Sequence, residues 1–166
     1  MGSDLVVRLI LLRHAKSDWD ADYGSDHDRP LNDRGASAAA SIGRLLTAMG
    51  QEPDLVVTSS AVRARTTAEL AAAAGEWHAS IKATEELYGA GVEQAIELIR
   101  HTDPTLQRAV FVGHEPTWSS LVQFITGGSV RMATATAVGI DIAAWSQCGR
   151  NGQIMYVVPP RLVSDR

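Results

Sequence analysis

The sequence predicts an α/β fold in three layers, with a mostly parallel central sheet and helices on both faces. The first observation behind this is alternation: apolar runs of strand length follow segments of helical period along the chain. The second is size. At 166 residues, with no internal repeat, low-complexity linker or composition break, residues 1–166 read as one domain. The third is composition, 45% hydrophobic and 20% charged, which excludes a disordered or fibrous chain. A chain of this size buries roughly 70% of its unfolded surface, so it needs no metal or disulfide staple.

The elements follow in order. Val6-Val7-Arg8-Leu9-Ile10-Leu11-Leu12 is β-branched and leucine-rich, the pattern of a strand buried on both faces. Residues 15–30 form a connection rich in Asp, longer than most, and long loops in compact domains often carry function. Ala38, Ile42, Leu45, Leu46 and Met49 share one helical face, with Asn32 as N-cap and Gly50 just past the end. Leu55-Val56-Val57 is a second strand. Alanine content makes residues 61–74 helical, with Ser60 as the expected cap. Val92, Ala95, Ile96 and Ile99 form another helical stripe, and Ala109-Val110-Phe111-Val112 a third strand. Trp118, Leu121, Val122 and Ile125 form a last stripe, with Pro116 fitted to its first turn. Ile140-Asp141-Ile142 and Ile154-Met155-Tyr156-Val157-Val158 are late strands. Trp19, Trp77 and Trp145 suit the core, a pocket rim or an interface, with the core favoured.

The formal net charge of -4 argues against a basic nucleic-acid surface. Among 15 cationic residues only Lys16 and Lys82 are lysines, so nearly all positive charge is guanidinium, the group suited to bidentate phosphate recognition. One cysteine, Cys148, allows no internal disulfide and suits a reducing compartment. Met1-Gly2-Ser3-Asp4 lacks the positive flank of a signal peptide, and residues 5–12 are too few to span a bilayer. The expectation is a cytoplasmic protein with neither a membrane nor a nucleic-acid partner.

Three strand ends hold the chemistry. The first strand runs into Arg13-His14. The second runs into Thr58-Ser59-Ser60 and, three residues on, Arg63. The third runs into Gly113-His114-Glu115-Pro116. Ligands of open α/β sheets bind outside the carboxyl ends of strands, so two arginines and two histidines converge on one edge. A concentrated cationic site on an acidic chain fits a phosphate. Taken singly, each piece has a plainer use: Arg13-His14 as a surface pair, Arg63 as a solvated helix residue beside Arg65, His114 as partner to a buried carbonyl. His78 and His101 read as surface residues. A metal site is the competing use of the histidines with Asp18, Asp20, Asp22, Asp26 and His27. Against it, a guanidinium abutting His14 repels a dication, and no His-x-x-x-His or cysteine pair is present. No metal and no cofactor are expected.

Leu12-Arg13-His14-Ala15 resembles the Arg-His-Gly signature of the histidine phosphatase superfamily, whose fold is the phosphoglycerate-mutase-like one. The run from Ser60 to Thr67, with Arg63 at its centre, is similar to the family's second Arg motif. Val112-Gly113-His114-Glu115-Pro116 is similar to its second His motif. Arg29-Pro30-Leu31-Asn32-Asp33-Arg34-Gly35 resembles the segment opening the first helix. The short chain and the Gly-His-Glu-Pro form point to the SixA-type phosphohistidine phosphatase branch. Two departures stand out: Ala15 replaces the usual Gly, and the acid-supplying Glu of the larger mutases has no clean counterpart.

The resemblance implies that His14 attacks phosphorus through one ring nitrogen and forms a phosphohistidine intermediate. The other nitrogen must then be held as a donor, to a backbone carbonyl. Arg13, Arg63 and His114 would clamp the equatorial oxygens, with Ser17 and Arg29 as further phosphate-binding residues. For the leaving-group proton the resemblance favours Glu86, with Glu85 and Asp18 as alternatives. A phosphohistidine substrate leaves as an imidazole that takes its proton from solvent, whereas an alkoxide needs a positioned acid, so a weak acid position favours the phosphoramidate. The expected partner is a phosphorylated protein bearing phosphohistidine, or a small phosphorylated metabolite. The alternative is a non-hydrolytic phosphate- or phosphoprotein-binding module that keeps the Arg/His pocket. A mutase would need more chain than this.

Overall fold

The computed structural model describes residues 5–160. The opening tetrapeptide, read above for a signal flank, lies outside them. The sheet has six strands: β1 (Val7–Arg13), β2 (Leu55–Ser59), β3 (Ser80–Thr84), β4 (Arg108–Gly113), β5 (Ala137–Ile142) and β6 (Gln153–Val158). Their spatial order is β3-β2-β4-β1-β5-β6. The pairs β2/β3, β2/β4 and β1/β4 are parallel, and β5 runs antiparallel to both β1 and β6. Among the described residues four α-helices complete the layers: α1 (Asp33–Ala48), α2 (Val62–Gly75), α3 (Val92–Arg100) and α4 (Thr117–Thr126). The predicted α/β architecture is the one observed.

Period-2 alternation along the strands sorts the core into two layers. Leu9 and Leu11 of β1 and Phe111 of β4 face α3 and α4, where they meet Ile96, Ile99, Trp118, Leu121 and Ile125. Ile10 and Leu12, with Val110 and Val112, face Ile42 and Leu46 of α1 and Ala64, Ala68 and Ala71 of α2. Every stripe residue read from sequence on α3 and α4 is buried or packed against this core. The alanine face of α2 lets α1 approach closely. A Cβ on Gly43 would lie 2.0 Å from the Ala71 carbonyl oxygen, so only glycine fits there.

Several local expectations change. β3 was not anticipated, because Ser80-Ile81-Lys82-Ala83-Thr84 is an exposed edge strand with no apolar run to mark it. Asn32 caps α1 as expected, accepting from the Gly35 amide at 2.8 Å. Ser60 does not cap α2. The cap position is Ala61, whose amide reaches Ser59 Oγ at 3.3 Å, and Ser60 Oγ pairs with His27 Nε2 at 2.9 Å. Pro116 sits at the cap position of α4 rather than inside its first turn. Trp77 and Trp145 are buried, but Trp19 is 68% exposed. No described helix is long and apolar enough to cross a membrane.

The central strands β1 and β4 are neighbours, yet the chain leaves them on opposite faces, to α1 and α4. A crevice opens at that point, outside their carboxyl ends.

Candidate active site

His14 follows β1 directly, and its amide donates to the Gly113 carbonyl at 3.0 Å, extending the β1/β4 ladder by one residue. This pins the imidazole at the mouth of the crevice, 7% exposed. His14 Nδ1 lies 2.7 Å from the Ala15 carbonyl oxygen. A carbonyl only accepts, so Nδ1 carries the proton and Nε2 keeps a free lone pair. Burial pushes the imidazole pKa from its usual 6.5 down to about 3, and the nearby His114, Arg63 and Arg13 add to this against the Ala15 bond. The ring is therefore neutral at physiological pH.

Ala15, in place of glycine, does not crowd the crevice. Its methyl packs with Ala39 and Ala135, and its amide donates to Thr67 Oγ1 at 3.0 Å. Close approach is needed instead at Gly35, where a Cβ would meet the Lys16 carbonyl oxygen at 2.1 Å.

His114 follows β4 in the same way. The two imidazoles face each other with centroids 5.2 Å apart. Ser59 Oγ, at the end of β2, accepts from the Ala61 amide and lies 2.8 Å from His114 Nε2. The contact holds the ring through Nε2 and leaves Nδ1 buried, with no partner among the described residues. Burial, then the charge of Arg63, holds this ring at about 4, again neutral.

Three guanidiniums surround the histidines. Arg63 is 6% exposed, on the first turn of α2, and donates to Asp26 O at 2.7 Å and Asp26 Oδ2 at 3.0 Å. Arg29 is 5% exposed; it donates to Asp26 Oδ1 at 3.0 Å and to Ser17 Oγ, and the Trp19 ring lies 3.6 Å from its guanidinium carbon. Arg13 makes one bond, from Nη1 to the Met132 carbonyl at 3.0 Å. The Nε atoms of all three are buried and find no partner among the described residues. Such groups cost free energy, and three guanidiniums gathered on one cleft suit an oxyanion.

The structure thus gathers Arg13, His14, Ser17, Arg29, Arg63 and His114 around one cleft of about 790 Å³. Glu86 is not among its lining residues; it lies exposed on the turn after β3, beside exposed Glu85. Among the described residues Glu115 is the one carboxylate in the lining, its oxygens taken by the amide (2.7 Å) and hydroxyl (2.6 Å) of Ser119.

Three residues with clear contacts here carried no individual role in the sequence reading. Asp26 Oδ2 also accepts from Tyr88 Oη at 2.9 Å. Burial would raise the Asp26 carboxyl, but hydrogen bonds from Arg29 and Tyr88 and the charge of Arg63 outweigh it and hold it at about 2. Tyr88 also stands edge-on to His114, with centroids 5.9 Å apart. Ser59 orients His114. The long loop at 15–30 was the available signal for Asp26; nothing in composition marked Ser59 or Tyr88. With Asp26 so engaged and His27 bound to Ser60, the aspartates and His27 of the loop form no ligand set. Among the described residues no three His, Cys, Asp or Glu side chains are placed to hold a metal ion.

Comparison with known proteins agrees with this geometry. Residues 9–89 match the family model described as histidine phosphatase superfamily (branch 1). An uncharacterized chloroplastic protein of Arabidopsis thaliana is 32% identical over 139 residues, covering 78% of this chain; the chain spans only 64% of that relative's length. A structure from Agrobacterium tumefaciens, assigned as phosphohistidine phosphatase SixA, superposes with a TM-score of 0.81 at 27% identity, covering 93% of this chain and 98% of that one. The protein histidine phosphatase SixA complexed with tungstate shares the fold, with a TM-score of 0.84 at 20% identity over 95% of this chain and all of the other. The chain belongs to the histidine phosphatase superfamily, in its SixA-type branch.

Proposed function

We propose that the protein is a phosphohistidine phosphatase that works through a covalent intermediate on His14. The observation that carries this reading is the state of His14: buried, neutral, with Nδ1 committed to the Ala15 carbonyl and Nε2 free beside unpartnered guanidinium donors. A neutral imidazole with one lone pair aimed into an anion site is equipped for attack and not merely for binding.

In the first step Nε2 of His14 forms a bond to phosphorus while the bond from phosphorus to the substrate's imidazole nitrogen breaks. The electron pair of that bond leaves with the substrate imidazole, which takes its proton from solvent. Arg13, Arg29 and Arg63, with the His114 ring, hold the equatorial oxygens, where charge spreads in the transition state. In the second step a water oxygen bonds to phosphorus, the Nε2–P bond breaks, and inorganic phosphate carries the water's oxygen away. His14 returns neutral. Glu86 stands outside the cleft, and an imidazole leaving group needs no acid of its strength. This supports a phosphoramidate substrate over an alkyl ester.

The test is phosphate release from a phosphohistidine peptide, with trapping of acid-labile phosphoenzyme. Wild type is expected to show both and His14→Ala neither. Full turnover by His14→Ala would sink the mechanism.

A further inference from the structure

We propose that Lys16 and Arg131 form a second anion-binding subsite at the mouth of the cleft, selecting phosphohistidine segments with an acidic residue beside the phosphorylated histidine. The proposal deepens the phosphatase reading and takes the substrate's identity from it. It begins with a charge imbalance. On a chain of net charge -4, five of the 15 cationic residues line this one cleft: Arg13, Lys16, Arg29, Arg63 and Arg131. Against them stand Glu115 in the lining and Asp26 behind Arg29 and Arg63. A phosphoryl dianion answers two of the three positive charges left over, and one remains uncompensated. Like charges gathered this closely cost free energy unless a ligand meets them.

The surplus lies at the mouth. Lys16 and Arg131 are both exposed, whereas Arg29 and Arg63 are buried at the phosphoryl position. Their backbones are fixed close to the reacting centre. Lys16 lies two residues past His14, and its carbonyl accepts from the Asn32 amide at 3.0 Å. Arg131 precedes Met132, whose carbonyl holds Arg13. Trp19, set over Arg29, lines the same cleft. The cleft of about 790 Å³ is far larger than a phosphoryl group, so a carboxylate next to it along a peptide has room to reach the two cations.

Two measurements on the full chain decide it. The first compares kcat/KM on phosphohistidine peptides with Asp or with Ala flanking the phosphorylated residue. Wild type is expected to favour the acidic peptide about tenfold at low salt and less as salt rises. In Lys16→Ala/Arg131→Ala the ratio falls to near one, and in Arg131→Glu it falls below the wild-type value. A wild-type ratio near one, or a ratio unchanged in the double variant, overturns the subsite. The second measures calorimetric binding of methylenediphosphonate against methylphosphonate, which needs no turnover. The probe with two phosphonate groups is expected to bind about tenfold more tightly to wild type, with the advantage lost in the double variant. No hydrolysis of any peptide, with that advantage intact, overturns the phosphatase reading and leaves the subsite standing. Equal binding of the two probes to wild type overturns the subsite alone.

Discussion

Two arginines mark the two ends of β1, and their surroundings could hardly differ more. At the amino end, Arg8 donates Nε and Nη2 to the two carboxylate oxygens of Asp141, its cross-strand partner, and Nη1 to Gln51 Oε1. At the carboxyl end, Arg13 donates once, to a backbone carbonyl, and keeps a buried Nε with no partner. One strand carries the same side chain twice, once as a closed structural fork and once held open. The bond to Asp141 keeps the Arg8 pKa up, whereas burial lowers that of Arg13, because nothing nearby fully answers its charge. An open guanidinium is costly to the fold, and its gathering with Arg29, Arg63 and two histidines on one cleft marks where a ligand belongs.

The sharpest way to break the comparison is to remove the open member. Arg13→Met is expected to lower kcat on a phosphohistidine peptide about a hundred- to a thousandfold, the usual loss when one preorganised donor to a transition-state oxyanion is deleted. The same variant should be no less stable than wild type in urea, because it removes a half-buried charge lacking a carboxylate partner. Unchanged turnover would show that Arg13 is background like the remaining surface arginines.

Next in size is the pH dependence of stability. His14 and His114 have folded-state pKa values of about 3 and about 4, below the ordinary 6.5. The unfolded chain therefore binds protons first as pH falls through 6.5, so stability is full above that value and declines below it. Between pH 8 and 5 each histidine is expected to remove about 2 kcal/mol, from 1.36 kcal/mol per pH unit over the titrated range. Urea midpoints across that range check this, and His14→Ala should flatten the decline. At the amino end, Arg8 adds nothing to the slope.

How much of this could be read from the sequence follows from the same contrast. The strand-end residues Arg13, His14, Arg63 and His114 were legible because buried strands and helical stripes announce where the chain turns, and α/β topology fixes which edge receives a ligand. Asp26 was visible only as one of several loop aspartates. Its role depends on the loop folding back over α2 to meet Arg63, a long-range closure that leaves no periodic trace. Ser59 and Ser60 are equally good cap types, so propensity could not say that one would orient His114 and the other pair with His27. Of the uses open to Trp19 the core was favoured because large aromatics are usually buried; the structure gives it the pocket rim, over the Arg29 guanidinium. β3 escaped because an exposed edge needs no apolar run.

Asp26→Asn probes what keeps the open arginines aimed. The carboxylate ties Arg29 and Arg63 together with Tyr88, while the Asp26 carbonyl holds Arg63 independently. Loss of the charge leaves the cleft more cationic, which strengthens attraction for phosphate in ground and transition states alike. Loss of orientation acts on the transition state alone. The expected split is a fall in kcat of about tenfold, with inorganic phosphate inhibiting no less strongly than in wild type. A parallel loss of phosphate affinity would make Asp26 a structural residue and not a positioning one. Asp26→Glu should restore part of kcat.

The smallest expected effect on turnover belongs to the closed fork. Arg8→Met leaves Asp141 without its partner at a half-buried site, and stability should drop by about 1 kcal/mol, toward the upper range for a partly exposed ion pair. Turnover should stay within about twofold of wild type, because a perturbation this far along the strand adds independently of the site. Arg8→Met with Asp141→Leu should recover much of the loss, since replacing both partners by apolar groups avoids the unpaired carboxylate. A matching defect in turnover for Arg8→Met would mean that β1 transmits strain from one end to the other. The two arginines would then be coupled, and the division of the strand into a structural end and a reactive end would fail.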